Sequence, residues 1–258
     1  MLWIGIVLLL AGGGCFWMAV RTQRRVHAMM AAETLAVPEL LERARITADL
    51  GGGPGGFRLV CEVVGETAPA PVGILRSELA GVECVWHAHR VERRFERRER
   101  DDEGRMRTST HTETVSERTS PHGWPLVRDG HSIGVDPGGV RPDPVEQVLD
   151  RFEPGAGPSG GVGDSGFLGG HRDRTVGYRH QEWVLRPGVR MYVLGEVDDR
   201  DGPLVIRRPQ DRAHPFVLST RTEEELTTAA RAGQRWWARG GAAAVLLGLV
   251  LAVAGAVT

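Results

Sequence analysis

Phe57-Arg58-Leu59-Val60-Cys61-Glu62-Val63 alternates along the chain, with Phe57, Leu59, Cys61 and Val63 on one side and Arg58 and Glu62 on the other. A strand turns successive side chains to opposite faces, so this stretch reads as half-buried β-structure. The same reading extends to 82–91, where Cys84, Trp86 and Ala88 share a face, and to 132–135, 182–185, 189–197, 204–207 and 216–219. Pro187-Gly188 supplies a tight turn between two of these strands. Upstream, Pro38 suits the first turn of a short helix with Leu40 and Leu41 as its apolar contact, and the glycine-rich run 51–56 ends it. The expected fold class is therefore a mainly β (α+β) soluble domain. Its sheet core is drawn from Phe57, Leu59, Val63, Trp86, Val135, Val184, Val193, Leu194 and Phe216.

Two stretches break the pattern. Residues 92–121 are dense in charge, serine and threonine; residues 155–170 are glycine-rich. Neither holds enough apolar surface to order itself, so both are expected as mobile insertions. Eight arginines between Arg90 and Arg107 interleave with Glu92, Glu96, Glu99, Asp101, Asp102 and Glu103, the signature of a solvated hairpin or loop whose charges pair locally.

The ends differ from everything between them. Residues 1–20 and 240–258 hold no charged side chain, whereas 21–239 carry all 32 basic and all 33 acidic residues. Each apolar run is long enough, at 1.5 Å per helical residue, to span about 30 Å of hydrocarbon. The expected domains are a transmembrane helix over 1–20, a domain over 21–239 and a second transmembrane helix over 240–258. Arg21, Arg24 and Arg25 follow the first run, Arg231, Arg235 and Arg239 precede the second, and Trp236 and Trp237 stand at its entry. Positive residues stay on the cytoplasmic side, so the middle domain is expected inside with both termini outside. A lipoprotein acylated at Cys15 is the competing reading, but the aliphatic residue that usually stands three before the cysteine is missing. Ala244, Gly248, Ala252 and Ala256 form a small-residue stripe suited to close helix packing, on the first span or on a second copy. Thr222-x-x-Glu225 has the spacing of a capping box.

Composition excludes several functions. Every basic residue is arginine and the net charge is −1, so no overall field steers the chain to nucleic acid. Cys15, Cys61 and Cys84 are too scattered for a disulfide framework or a four-ligand zinc site, and no cofactor is implied. His87 and His89 share one strand face and are candidate metal ligands, but no third ligand is fixed by spacing and a solvated face is the expectation. Gly163-Asp164-Ser165-Gly166 echoes a protease nucleophile loop without a histidine partner, which favours a linker; no catalytic residue is assigned.

The order of motifs carries a resemblance. Ser77, Gly81-Val82-Glu83-Cys84-Val85-Trp86, then 129–137 with Asp136-Pro137, then 182–188 ending in Gly188, then Tyr192-Val193-Leu194-Gly195-Glu196, and finally 215–219 ending in Ser219 resemble the GIDE domain. That domain is also called BAM, for "beside a membrane". The layout is similar to bacterial relatives of the MULAN-type RING ubiquitin ligases, with two membrane helices bracketing the domain. In that family ligase activity belongs to a C-terminal RING with eight Cys/His ligands, a set these 258 residues do not supply. The resemblance thus implies a non-enzymatic sensing or partner-recruiting module at a bilayer, with a protein partner or small ligand. A ubiquitin transferase with its RING supplied in trans is the alternative, and an unrecognised hydrolase the second alternative.

Overall fold

The protein was analysed as a computed structural model that describes residues 33–53, 55–100, 104–155, 173–211 and 213–222, with isolated positions in 10–20 and 225–245. The first element is helix α1 (Val37–Thr47), whose proline lies in the opening turn and whose Glu39 and Arg45 suit the two ends of the helix dipole. Val37 and Leu40 are fully buried, while Leu41 is 37% exposed, so Leu40 alone makes the apolar contact expected of the pair. A widened turn over Ala48–Gly52 and the left-handed Gly53 and Gly55 then release the chain into β-structure.

Five strands close a ring: β1 (Arg58–Thr67), β6 (Trp124–Arg128), β7 (His131–Val135), β11 (Val205–Arg207) and β10 (Arg190–Asp198), which returns to β1 along its whole length. Every pairing in the ring is antiparallel except β7 with β11. This is the Greek-key arrangement of an OB-type barrel. A short β12 (Val217–Ser219) fills the rest of the β10 edge. Odd positions of β1 and β10 point inward: Cys61 pairs across from Gly195, and Val63 from Val193. Together with Leu126, Ile133, Val135 and Ile206 they make the buried core. Even positions point outward, and there Tyr192 and Leu194 form a smaller cluster with Val60, Val64 and Val217.

The remaining strands build a second sheet in the order β5 (Met106–Thr119), β4 (Trp86–Arg100), β9 (Arg174–Leu185), β8 (Glu146–Pro154), all antiparallel. It consists of two insertions into the barrel, one between β1 and β6 and one between β7 and β10, joined by the β4–β9 ladder. The first insertion also carries a small pair, β2 (Leu75–Arg76) with β3 (Glu83–Cys84). At about 3.3 Å per residue, the 15 residues of β4 run roughly 50 Å, well beyond the barrel. Only its base, Trp86 and Ala88, joins the barrel core, with Val85 and Leu185.

Of the core expected from sequence, Phe57, Val63, Trp86, Val135, Val184, Val193 and Leu194 are buried, and Leu59 and Phe216 pack against the core partly exposed. Within 92–121, expected as a mobile insertion, residues 92–100 are the outer half of β4 and 106–119 are all of β5. Their charges pair across the ladder instead of repelling, Arg90 with Glu117 at 2.7 Å and Arg93 with Glu113 at 3.1 Å. The glycine-rich insertion, with Ser165, lies almost wholly outside the described residues. So do most of the two expected spans and the arginines, tryptophans and small-residue stripe assigned to them. Among the described residues no helix is long and apolar enough to cross a membrane. The capping box is present: the Thr222 N–H donates to Glu225 at 3.0 Å and the Glu225 N–H donates back to the Thr222 hydroxyl at 3.3 Å.

Candidate interaction surface

The residues singled out from sequence serve turns and joints, and they do not converge on one site. The Ser77 hydroxyl accepts the Val82 N–H at 3.1 Å, and left-handed Gly81 closes that turn. Left-handed Gly188 donates its N–H to the Thr67 carbonyl, while the Thr67 hydroxyl bonds the Arg186 carbonyl at 2.7 Å and ties the β9–β10 turn to the barrel. The Asp136 carboxylate accepts the Gly138 N–H at 2.9 Å, fixing the turn through Pro137 after β7. The Ser219 hydroxyl donates to the Asp143 carbonyl at 2.8 Å. Tyr192 donates its hydroxyl to the buried Glu62 carboxylate, whose second oxygen takes the Thr34 hydroxyl at 3.0 Å. Cys84 and Trp86 are fully buried at the junction of the two sheets.

His87 and His89 stand on one face of β4 as expected, but that face is covered: the side chains are buried, 8% and 6% exposed as residues. Their cover is the turn following Ser77. Glu182, opposite His89 on β9 and fully buried, accepts the N–H groups of Leu79 and Ala80 at 2.9 and 2.7 Å. Glu78 of the same turn reaches the His89 Nδ1 at 3.2 Å. Burial pushes the His87 imidazole below its ordinary value, and its Nδ1 has no hydrogen-bond partner. No group of three His, Cys, Asp or Glu side chains among the described residues is placed to hold a metal ion. Burial also raises the thiols, Cys61 to about 12 and Cys84 to about 11, so neither is poised as a nucleophile.

Further out, the second sheet carries polar side chains on both faces. Phe95, 5% exposed, lies between the guanidinium groups of Arg93 and Arg97, 5.0 and 5.4 Å from its ring centre, and stacks on His111 at 5.6 Å. Arg97 bridges to Asp173 at 2.9 Å, and its hydrogen bond holds that carboxyl below the usual range. Arg179 does the same for Asp150, and Arg186 for Glu146, between β9 and β8. Arg141 lies 4.0 Å over the Trp183 ring. Phe95 escaped the sequence reading because it sits alone in a polar run, and the burial of Glu182, read only as the start of a strand, shows only through its neighbours in space. A period-two signal was present in Thr108, Thr110, Thr112 and Thr114, which share a face of β5.

The matching family model is the one described as GIDE, E3 ubiquitin ligase, and it covers residues 92–253, more than half of the chain. The chain belongs to the GIDE family. No curated protein and no solved structure matches it. The matched region starts within β4, takes in the outer second sheet and the closing barrel strands, and continues beyond β12. The matched residues thus hold most of the long, polar second sheet, in which β5 pairs with β4 alone among the described residues.

Proposed function

We propose that this GIDE-family chain is a membrane-tethered module that recruits a protein partner through its second sheet and performs no chemistry of its own. The observation that carries this reading is the division of labour in the fold. The motif residues hold turns and the joint between sheets, while the β4–β5–β9 ribbon projects past the barrel with exposed polar side chains. Tethering is supported by the apolar runs and by the described positions within 10–20, which are helical, with Leu10 72% and Trp17 60% exposed. The flanking arginines favour a cytoplasmic domain with both termini outside.

The alternative, a ubiquitin transferase whose RING acts in trans, draws on the family description. Because the chain has no lysine to accept ubiquitin, self-modification is a poor assay. The full chain is instead added to a ubiquitin-charged conjugating enzyme with free lysine as acceptor, with and without an added RING domain. The recruiting reading expects discharge at the blank rate in the chain's presence. Acceleration by the chain alone overturns it, and acceleration only with the RING favours the alternative.

A further inference from the structure

We infer that β5 is a self-complementary edge through which two copies of this chain join their second sheets into one continuous antiparallel sheet. Among the described residues β5 pairs only with β4, and every residue from Met106 to Thr119 is exposed or half-buried. Its other edge therefore presents a row of backbone donors and acceptors, the template for strand addition. Proteins ordinarily blunt such an edge with lysine, proline or a bulge. Residues 106–114 have no proline, their two charged residues, Arg107 and Glu113, are of opposite sign, and a bulge enters only afterwards, where Val115 has no counterpart between Val91 and Glu92.

The side chains select a second copy as the occupant. A twofold axis through Thr110, perpendicular to the sheet, sets Arg107 of each copy opposite Glu113 of the other. It sets Ser109 opposite His111, Thr108 opposite Thr112, and Met106 opposite Thr114. All pairs lie within the unbulged segment, and each keeps its members on one face, because residues opposite Arg93, Phe95 and Arg97 on β4 are the odd ones of β5. Opposite charges and threonine pairs directly across a ladder are favourable. Centring on His111 would oppose two imidazoles and leave Arg107 facing the bulge. Centring on Thr112 would set Arg107 against Glu117, which the bulge has turned to the other face. Of these three registers, the Thr110 one satisfies both charge and face. This pairing stands whether or not the second sheet also recruits a partner, and it uses a surface other than the expected stripe in 240–258.

The test uses the full chain in mild detergent with Cys15→Ser, since the remaining Cys61 and Cys84 are buried and their raised thiols leave little thiolate to react. With a short bis-maleimide, Thr110→Cys is expected to link to itself. Thr108→Cys and Thr112→Cys should link well when mixed and poorly alone. Sedimentation of the cysteine-free-surface parent should show a dimer that Arg107→Glu weakens at least tenfold while circular dichroism stays unchanged; Glu113 is left in place because it also bridges Arg93. A monomer at all concentrations with Thr110→Cys unlinked overturns the proposal, whether the edge is then empty or taken by a different protein. Self-linking of Thr112→Cys in place of Thr110→Cys overturns the register, and an Arg107→Glu dimer as tight as the parent overturns the charge pairing.

Discussion

Gly195 stands where β10 passes closest to its neighbours: a Cβ there would lie 2.7 Å from the Arg207 carbonyl and 3.0 Å from the Phe216 ring. Backbone cannot step aside as a flexible side chain can, so Gly195→Ala should cost about 2 kcal/mol in a denaturant titration. Trp86→Ala, at a fully buried position between the sheets, should cost roughly 3–5 kcal/mol by the same measurement. His87 gives a pH signature. Its imidazole is lowered in the fold below the ordinary 6.5, so the unfolded chain binds the proton more readily. The associated stability is fully present above about 6.5 and is lost as pH falls from there toward the folded value. The melting temperature should drop between pH 7.5 and 5.5, and the drop should be smaller in His87→Phe. An equal drop in both proteins would remove His87 as the source. The lowered carboxyls of Asp150, Asp173 and Glu146 act in a separate window, since their stability is present above about pH 4 and lost below it.

At the scale of elements, the outer ribbon and the barrel share few interests. No residue of β4 beyond Ala88 belongs to the barrel core, and Phe95 makes its own small cluster with β5 and β9. Replacing residues 97–108 by a tight turn should therefore leave the barrel folded, with its near-ultraviolet dichroism from Trp86 and Trp124 intact. Loss of that signal would show that the ribbon supports the barrel. The turn following Ser77 is pinned to β9 by one side chain. Glu182→Ala removes the acceptor of two part-buried N–H groups and should cost about 2 kcal/mol. Why β5 and the outer half of β4 escaped the sequence reading is visible here. Their stabilisation is a ladder of paired charges and threonines, and pairing between segments is not a property of either segment's composition.

For the whole molecule, the two inserted halves of the second sheet are joined, among the described residues, by the ladder of β4 with β9, residues 86–96 against 174–185. On the proposed tethering, the flanking arginines put the ribbon on the cytoplasmic side. Ser165→Cys in the Cys15→Ser chain should be labelled by an impermeant maleimide only after cells are permeabilised. Labelling of intact cells would reverse the orientation.

The sequence by itself determined the local terms. Alternation placed most of the barrel strands and their inward residues, proline and glycine placed α1 and the β9–β10 turn, and the order of short motifs gave the family. These are legible because propensity, turn chemistry and period are written within a few consecutive residues. Only the tertiary structure decided that β1 and β10 close a ring with β7 parallel to β11. It alone decided that two insertions far apart in the chain make one sheet, and that His87, His89 and Glu182 lie under a turn instead of in water. Those facts depend on which segments meet, and contacts between residues a hundred positions apart leave no periodic trace in either one.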